Sequence, residues 1–344
     1  MSAASSGTEA VSSAPTVAVA APPWAAAALA EVAGLAGLGP GLGPEPLPIR
    51  HVVVDPRTPE TPDTQGVRVL WRYHLTPPQL ATVVERLPDL EWVHSDYVGV
   101  DDLPLGLMAE RGVMLSNGAG ISARPMAEWV MLALLLGAKQ LPRFVRQSDA
   151  AVWDAGAPLG ELQNSVVLLL GLGAVGSLVA QMLEPFGAEV HAWTRRQRTT
   201  KPQGVTRMLA GDEWRSSVGR ADFVVCTLPL TQATAGLLDA SFFRSMKPGA
   251  WVVNVSRGAL IDDRALLSSL DEGHLGGAVL DAFREEPLPG DSLLWRRPDV
   301  LVLPHATWSS SHTLEDFTRR FATQLARFVA GNRPTDLVDL AAGY

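Results

Sequence analysis

Cysteine is nearly absent from this chain: its 344 residues include a single one, Cys226. A single cysteine excludes a disulfide bond within the chain. Structural disulfides are typical of oxidising compartments, so their exclusion favours a reducing environment. We therefore expect a cytoplasmic protein.

Excess positive charge and long apolar runs are missing as well. With 28 Lys and Arg against 36 Asp and Glu, the net charge is -8, which leaves no basic stripe of the kind that binds nucleic acid. The apolar run from Trp129 to Ala138 is shorter than the roughly 20 residues of a transmembrane helix. No Lys or Arg precedes Arg50, so the Ala-rich residues 17–38 lack the basic start of a signal peptide. We expect neither a nucleic-acid partner nor a membrane segment.

The residues that are abundant indicate a folded α/β protein. Hydrophobic residues make up 47% and charged residues 19%, and the length suits two domains better than one. Short apolar segments alternate with helical patterns, which is typical of parallel sheets covered by helices. Strands are expected at 17–20, 51–54, 67–72, 90–94, 166–170, 189–193, 221–227, 250–255, 277–280 and 300–303.

Three helices have clear signals. One is expected at 24–35, and another begins with Thr76 as N-cap and Pro77 as its first residue. A longer helix is expected at 122–140, where its apolar face is either core or a dimer surface. A connector containing Pro142 follows it.

A glycine motif follows the apolar strand at 166–170 and opens a helical pattern, the context in which G-x-G-x-x-G is informative. Its first glycine permits a tight turn, its second lets the backbone approach a pyrophosphate, and its third lets helix and strand pack closely. The helix N-terminus then offers free amides to the phosphates. The motif residues expected to contact a dinucleotide are Gly171, Gly173, Ala174, Val175 and Gly176.

The residue that reads the adenosine ribose is expected about 20 positions further on. NAD sites have an acid there, whereas this chain has Thr194 followed by Arg195 and Arg196. Guanidinium groups bind a ribose 2′-phosphate, which a carboxylate would repel. An exposed basic turn would explain the arginines but not the missing acid. We expect NADP(H) as the preferred cofactor, with NAD(H) as the alternative.

Four blocks of sequence carry a family resemblance. The longest begins at Met246 and reads MKPGAWVVNVSRGALID; the others are ADFVVCTLPL from Ala221, LDAFREEPLP from Leu280 and LPH from Leu303. Together they resemble the D-isomer-specific 2-hydroxyacid dehydrogenases, and among these the glyoxylate/hydroxypyruvate reductases. The blocks are much more specific than the glycine motif alone.

The resemblance implies a role for three polar residues that follow predicted strands. Arg257 matches the arginine that holds the substrate carboxylate and polarises the 2-oxo group. His305 matches the catalytic histidine, and Glu286 matches the acid paired with it. Hydride addition at C2 builds negative charge on the oxygen, so a proton donor is needed, and histidine suits this role near neutral pH. A carboxylate behind the ring favours its protonated form, and a guanidinium stabilises the developing charge.

The resemblance also implies the remaining contacts. Backbone amides of Val98 and Gly99 would bind the substrate carboxylate, and Asp281 would face the nicotinamide. Trp308 stands where the family has small residues, and it either contacts the substrate or packs in the core. Residues 95–97 likewise lack the usual small side chains. Further cofactor contacts are expected from Thr227, Leu228, Pro229 and Val255.

Motifs and resemblance together imply two doubly wound parallel-sheet α/β domains. The larger, a Rossmann dinucleotide-binding domain at 121–305, is inserted into a smaller flavodoxin-like substrate domain made of 16–120 and 306–344. Residues 1–15, rich in Ser, Ala, Gly and Thr, are expected to form a mobile tail.

The expected function is hydride transfer from NADPH to the C2 carbonyl of a small 2-oxo acid of the glyoxylate or hydroxypyruvate type, giving a D-2-hydroxy acid. His305 would be the general acid/base, and no metal is expected. One alternative is an NAD-dependent phosphoglycerate dehydrogenase. We expect it less because the sequence reaches Tyr344 without a C-terminal regulatory domain. The other is a non-catalytic dinucleotide-sensing scaffold on the same fold. The resemblance implies a homodimer.

Overall fold

The computed structural model describes residues 16–36, 49–58, 63–156, 158–194 and 200–343. The mobile tail expected at 1–15 lies outside these described residues. The chain forms two compact units, of which the second, from Ala119 to Thr313, is inserted in sequence between the two parts of the first. The domain boundaries expected after residues 120 and 305 stay predictions.

The first unit contains one parallel sheet in the described part of the chain. Its elements before the insertion are β1 (Val17–Ala21), α1 (Ala26–Ala36), β2 (Ile49–Val53), β3 (Val67–Trp71), α2 (Pro77–Glu85), β4 (Trp92–His94), α3 (Leu105–Glu110) and β5 (Met114–Ser116). The strand order is β2-β1-β3-β4-β5, and every pairing is parallel. Consequently the carboxyl ends of all these strands lie at one edge of the sheet.

The second unit contains a larger parallel sheet. Its elements are α4 (Ala123–Ala138), α5 (Leu141–Asp149), β6 (Val166–Leu170), α6 (Ala174–Leu183), β7 (Glu189–Trp193), β8 (Arg207–Leu209), α7 (Glu213–Val218), β9 (Phe223–Cys226), α8 (Ala240–Ser245), β10 (Trp251–Asn254), α9 (Asp263–Asp271), β11 (Gly277–Leu280) and β12 (Val300–Val302). Among the described residues the strand order is β12-β11-β10-β9-β6-β7-β8. The order therefore reverses between β6 and β9, and open α/β sheets bind ligands at such a switch point. After β12, α10 (Thr313–Val329) returns the chain to the first unit.

Both faces of the first sheet are buried. Val69 and Trp71 of β3 pack with Phe321 of α10 on one face, while Leu70 packs with Leu80 of α2 on the other. Because successive side chains of a strand point to opposite faces, the apolar run 69–71 at the end of β3 is buried on both sides, whereas Arg68 before it is exposed. Helix α2 begins as expected at Pro77 with Thr76 as its N-cap.

Helix α4 is part of the core of the second unit. Val130 and Leu134 are fully buried in its apolar cluster. A Cβ on Gly137 would lie 2.8 Å from the indole of Trp251 in β10, so the helix packs closely on this strand. Of the two interpretations of this apolar face, the structure supports the core.

The expected architecture of two doubly wound parallel sheets is confirmed, and one local prediction is wrong. A connector with Pro142, Trp153, Gly156, Pro158 and Gly160 was expected after Gln140, but its first part forms α5. Proline lacks only an N–H that the first helical turn does not use, so Pro142 is compatible with a helix start. Among the described residues, no helix is long and apolar enough to cross a membrane.

Candidate active site

The glycine motif forms a tight turn at the switch point of the second sheet. Gly171, directly after β6, has a φ of 108°, and a Cβ there would lie 2.6 Å from Oγ1 of Thr227. The Thr227 hydroxyl donates a hydrogen bond to the carbonyl of Gly171 at 3.1 Å. Since Thr227 follows β9 and Gly171 follows β6, this hydrogen bond joins the carboxyl ends of the two strands that flank the switch point.

The other two glycines have different surroundings. A Cβ on Gly176 would overlap the carbonyl oxygen of Gly171, so this glycine is required for helix packing. A Cβ on Gly173 would meet no described atom within 4 Å, so no neighbouring side chain or backbone explains this glycine. Among the described residues no side chain caps α6, whose first residues are Ala174 and Val175. Open space before an uncapped helix N-terminus fits the pyrophosphate of a dinucleotide.

Thr194 is next to this turn. It follows β7 and is half-buried, and the carbonyl of Trp193 before it accepts a hydrogen bond from the amide of Gly171 at 2.9 Å. The position expected to contact the ribose 2′-hydroxyl is therefore occupied by a neutral side chain. Arg195 and Arg196 lie outside the described residues.

The remaining expected cofactor contacts are found at the same edge of the sheet. Leu228 and Val255 are buried, whereas Pro229 is exposed. The amide of Val255 donates to the carbonyl of Cys226 at 3.4 Å, which joins the ends of β9 and β10. These residues therefore line the edge that also carries the glycine turn.

Glu286 and His305 form a hydrogen-bonded pair on the loops after β11 and β12, which are neighbouring strands. Oε2 of Glu286 lies 2.7 Å from Nδ1 of His305. Its other oxygen, Oε1, accepts a hydrogen bond from the amide of Phe283 at 2.8 Å. The carboxylate is thereby held from both sides, and its contact with Nδ1 assigns a proton to that nitrogen. Nε2 is then the ring nitrogen that can exchange a proton with a ligand.

The backbone of His305 has a φ of 51°, in the left-handed region that is uncommon for residues other than glycine. The buried carboxylate of Asp281 accepts hydrogen bonds from the amide of Ala306 at 2.8 Å and from the amide and hydroxyl of Thr307. The indole N–H of Trp308 donates to the carbonyl of His305 at 2.8 Å. The turn that presents the imidazole is thus fixed by contacts on both sides.

Arg257 lies on the loop after β10, beside the loop that carries Glu286. The side-chain amide of the buried Asn254 donates to the carbonyl of Arg257 at 3.0 Å. A Cβ on Gly258 would overlap the backbone of Phe283, so glycine is required for the two loops to approach this closely. The loops of Arg257, Glu286 and His305 therefore follow three adjacent strands, β10, β11 and β12.

Val98 and Gly99 belong to the first unit, unlike the other expected site residues. They follow β4, and the carbonyl of Val98 accepts a hydrogen bond from the side chain of Asn117 at 2.8 Å. Val98 is exposed. Sequence reasoning did not single out Asn117, Asn254 or Gly258. A polar residue that ends an apolar run, as Asn254 does, is the signal that could have found one of them.

Comparison with known proteins points to one family. A family model described as the NAD-binding domain of D-isomer specific 2-hydroxyacid dehydrogenases matches residues 129–307. A glyoxylate reductase of Korarchaeum cryptofilum is 30% identical over 77% of this chain and 81% of its own length. A D-3-phosphoglycerate dehydrogenase of Mycobacterium bovis is 31% identical over 76% of this chain, but the match spans about half of that relative, 49%.

A solved structure extends the similarity to both units. The crystal structure of an NADPH-dependent glyoxylate/hydroxypyruvate reductase from Sinorhizobium meliloti, in complex with NADP and sulfate, has a TM-score of 0.79 and 29% identity. The similarity covers 95% of this chain and 100% of that one. Fold, glycine turn and relatives together define the class as an NAD(P)-dependent oxidoreductase. More specifically, the chain belongs to the D-isomer specific 2-hydroxyacid dehydrogenase family.

Proposed function

We propose that this enzyme reduces the C2 carbonyl of a small 2-oxo acid, of the glyoxylate or hydroxypyruvate type, to a D-2-hydroxy acid with NADPH. The observation that carries the proposal is the 2.7 Å contact between Glu286 and His305 on the loops after neighbouring strands. A carboxylate that engages Nδ1 leaves Nε2 as the nitrogen that faces a ligand and can donate the proton. Bound NADPH would supply the hydride.

In this mechanism His305 donates a proton from Nε2 to the C2 oxygen as negative charge develops there. Glu286 keeps the ring oriented and stabilises its positive charge before the transfer. Arg257 anchors the substrate carboxylate and stabilises the charge on the oxygen through its guanidinium. The backbone amides of Val98 and Gly99 bind the other side of the carboxylate.

The cofactor assignment is supported by the residue that follows β7. Thr194 offers no negative charge to repel a ribose 2′-phosphate, and Arg195 and Arg196 follow it in the sequence. The similar reductase from Sinorhizobium meliloti is described as NADPH-dependent and was crystallised with NADP. We expect NADPH to be used in preference to NADH.

Phosphoglycerate oxidation with NAD is the second candidate, because one relative with that activity is 31% identical to this chain. Thr194 stands where an NAD site is expected to have an acidic residue, and this disfavours the phosphoglycerate dehydrogenase candidate. A cytoplasmic location and a homodimer, both expected from the sequence, stay predictions.

A substrate and cofactor panel tests the proposal. Purified protein is assayed for oxidation of NADPH and of NADH with glyoxylate, hydroxypyruvate, pyruvate and phenylpyruvate. We expect NADPH-dependent turnover of the first two. Absence of turnover with all four acids would contradict the proposal.

A histidine variant tests the assigned proton donor. His305→Asn should lower kcat by about 100- to 10,000-fold, the contribution typical of general acid catalysis, while NADPH binding measured by fluorescence is retained. His312→Asn, which changes an exposed histidine of the same unit, is the matched control. Near-wild-type turnover of the His305 variant would remove this residue from the mechanism.

A further inference from the structure

Two consecutive backbone amides on the loop after β4 have no acceptor within the described part of the chain. They belong to Val98 and Gly99, and neither donates a hydrogen bond to a described backbone or side-chain atom. Val98 is exposed and Gly99 is half-buried, so the segment is accessible. Adjacent free N–H groups on an accessible loop are a device that proteins use to bind anions.

The carbonyl groups that precede these two amides are both held by side chains. Nδ2 of Asn117 donates a hydrogen bond to the carbonyl of Val98 at 2.8 Å. Oγ of Ser95 donates to the carbonyl of Tyr97 at 3.3 Å. Ser95 and Asn117 are buried, with 0% and 8% of their surfaces exposed. Both carbonyls are therefore directed toward buried donors.

Peptide geometry converts this hold on the carbonyls into an orientation of the amides. The peptide bonds on both sides of Val98 are trans, and in a trans peptide unit the C=O and N–H groups point in opposite directions. One unit contains the carbonyl of Tyr97 and the N–H of Val98, and the next contains the carbonyl of Val98 and the N–H of Gly99. Because the carbonyls are turned toward buried donors, the two N–H groups are turned away from them.

Ser95 and Asn117 are themselves fixed by groups outside the loop. The backbone amide of Asn117 donates to the carbonyl of Asp336 at 3.2 Å, on the segment after α10. Asp336 is left-handed, with a φ of 55°, and its carboxylate is paired with Arg320 of α10. The guanidinium of Arg72, which follows β3, donates to Oγ of Ser95 at 3.2 Å. The orientation of the loop thus depends on contacts with other parts of the first unit.

We propose that Asn117 and Ser95 are positioning residues that orient the amides of Val98 and Gly99 toward the substrate carboxylate. This inference rests on the proposed function, in which those amides bind that carboxylate. Neither positioning side chain contacts the substrate, since each acts by holding a backbone carbonyl. The carboxylate is common to all 2-oxo acids, so the two residues set the affinity for the whole class and not the choice among its members.

Asn117→Asp tests the shorter of the two hydrogen bonds. The side chain keeps its shape, but an ionised carboxylate cannot donate and repels the carbonyl of Val98. The KM values for glyoxylate and for hydroxypyruvate should rise by the same factor, about 10- to 50-fold, as expected for loss of one charge-assisted hydrogen bond. We expect kcat to change less than about threefold and the KM for NADPH to stay unchanged. Asn332→Asp, at an exposed position of the same unit, is the matched control and should alter none of these constants.

Two further variants keep the test decisive if an acid at this buried position impairs folding. Asn117→Ala removes the donor without adding a charge and should give the same pattern of KM values. Ser95→Ala should raise both KM values about 2- to 5-fold, less than the Asn117 variants, because its hydrogen bond is longer. Thermal melts and NADPH titration check that each variant is folded.

The two substrates and the cofactor together separate positioning from a structural effect. A KM change confined to one acid, a fall in kcat at unaltered KM, or wild-type KM values in all three variants overturns the positioning role and leaves the reductase activity established. Weaker NADPH binding by the Asn117 variants would show a general structural effect and overturn it as well. If the wild type reduces neither acid, the proposed function fails and this inference fails with it.

Discussion

The indole N–H of Trp308 donates to the carbonyl of His305 at 2.8 Å, across a turn in which His305 is left-handed. This hydrogen bond constrains the backbone that presents the imidazole. Trp308→Phe keeps an aromatic side chain but removes the indole N–H. We therefore expect kcat to fall about 2- to 10-fold while the KM for NADPH is unchanged. Steady-state kinetics with hydroxypyruvate measures both constants.

Another tryptophan of the same unit provides the control for this variant. Trp295 donates its indole N–H to the carbonyl of Pro289 at 2.9 Å, a hydrogen bond within the connection between β11 and β12 that involves neither His305 nor its turn. Trp295→Phe should leave kcat unchanged. If the two variants behave alike, Trp308 has no special role in positioning His305.

Glu286→Gln should lower kcat about 10- to 1,000-fold, because a neutral amide cannot stabilise the charged imidazole before proton transfer. The KM for NADPH should not change, since the exchange is isosteric and distant from the glycine turn in sequence. Glu285→Gln neutralises the exposed neighbouring acid and serves as the control. Equal kcat values for the two variants would contradict the pairing of Glu286 with His305.

The second and third glycines of the motif should respond differently to alanine. In Gly173→Ala the new methyl group meets no described atom within 4 Å, so the melting temperature should be unchanged, while the KM for NADPH rises about tenfold. In Gly176→Ala the methyl group overlaps the carbonyl of Gly171, which should reduce stability by about 1–3 kcal/mol. Thermal melts and cofactor titration separate these effects. Unaltered NADPH binding by the Gly173 variant would argue against a pyrophosphate at this turn.

Asp96 makes stability dependent on pH. Burial raises the pKa of this carboxyl to about 7, although Trp71 donates a hydrogen bond to it at 2.8 Å. The unfolded chain releases the proton near pH 4, so the folded state binds more protons between these values and its stability falls as the pH rises. Asp96→Asn removes this dependence.

The difference in melting temperature between wild type and the Asp96→Asn variant isolates this effect. We expect the melting temperature of the wild type minus that of the variant to decrease as the pH is raised from about 4 to about 8. Burial lowers the pKa of His94 to about 3, which gives the opposite trend in acid, but that contribution is common to both proteins and cancels. A constant difference over this range would mean that Asp96 is ionised throughout.

Three strands could be predicted to the residue, the boundaries of the other expected strands differ by one or two residues, and two short strands were not expected. The segments Val166–Leu170, Glu189–Trp193 and Gly277–Leu280 are strands over the full expected ranges. Met114–Ser116 and Arg207–Leu209 were not expected to be strands, because three residues are too few to show a period.

The candidate site was predictable where sequence blocks identify side chains, and not where it depends on backbone conformation. Glu286 and His305 were expected as a pair, and they are hydrogen-bonded. Asp281 anchors Thr307 in a turn whose left-handed backbone at His305 is uncommon for residues other than glycine, and no residue pattern around it signals this conformation. The contact of Asp281 with the nicotinamide stays a prediction.

The division of the chain into two units has a consequence for how such an enzyme changes during evolution. The residues proposed for proton transfer all belong to the second unit, whereas Val98 and Gly99, which are proposed to bind the substrate carboxylate, belong to the first. Mutations that alter substrate range can therefore accumulate in one folding unit without disturbing the chemistry held by the other. Laboratory selection for new 2-oxo acids should begin with libraries at the carboxyl end of β4.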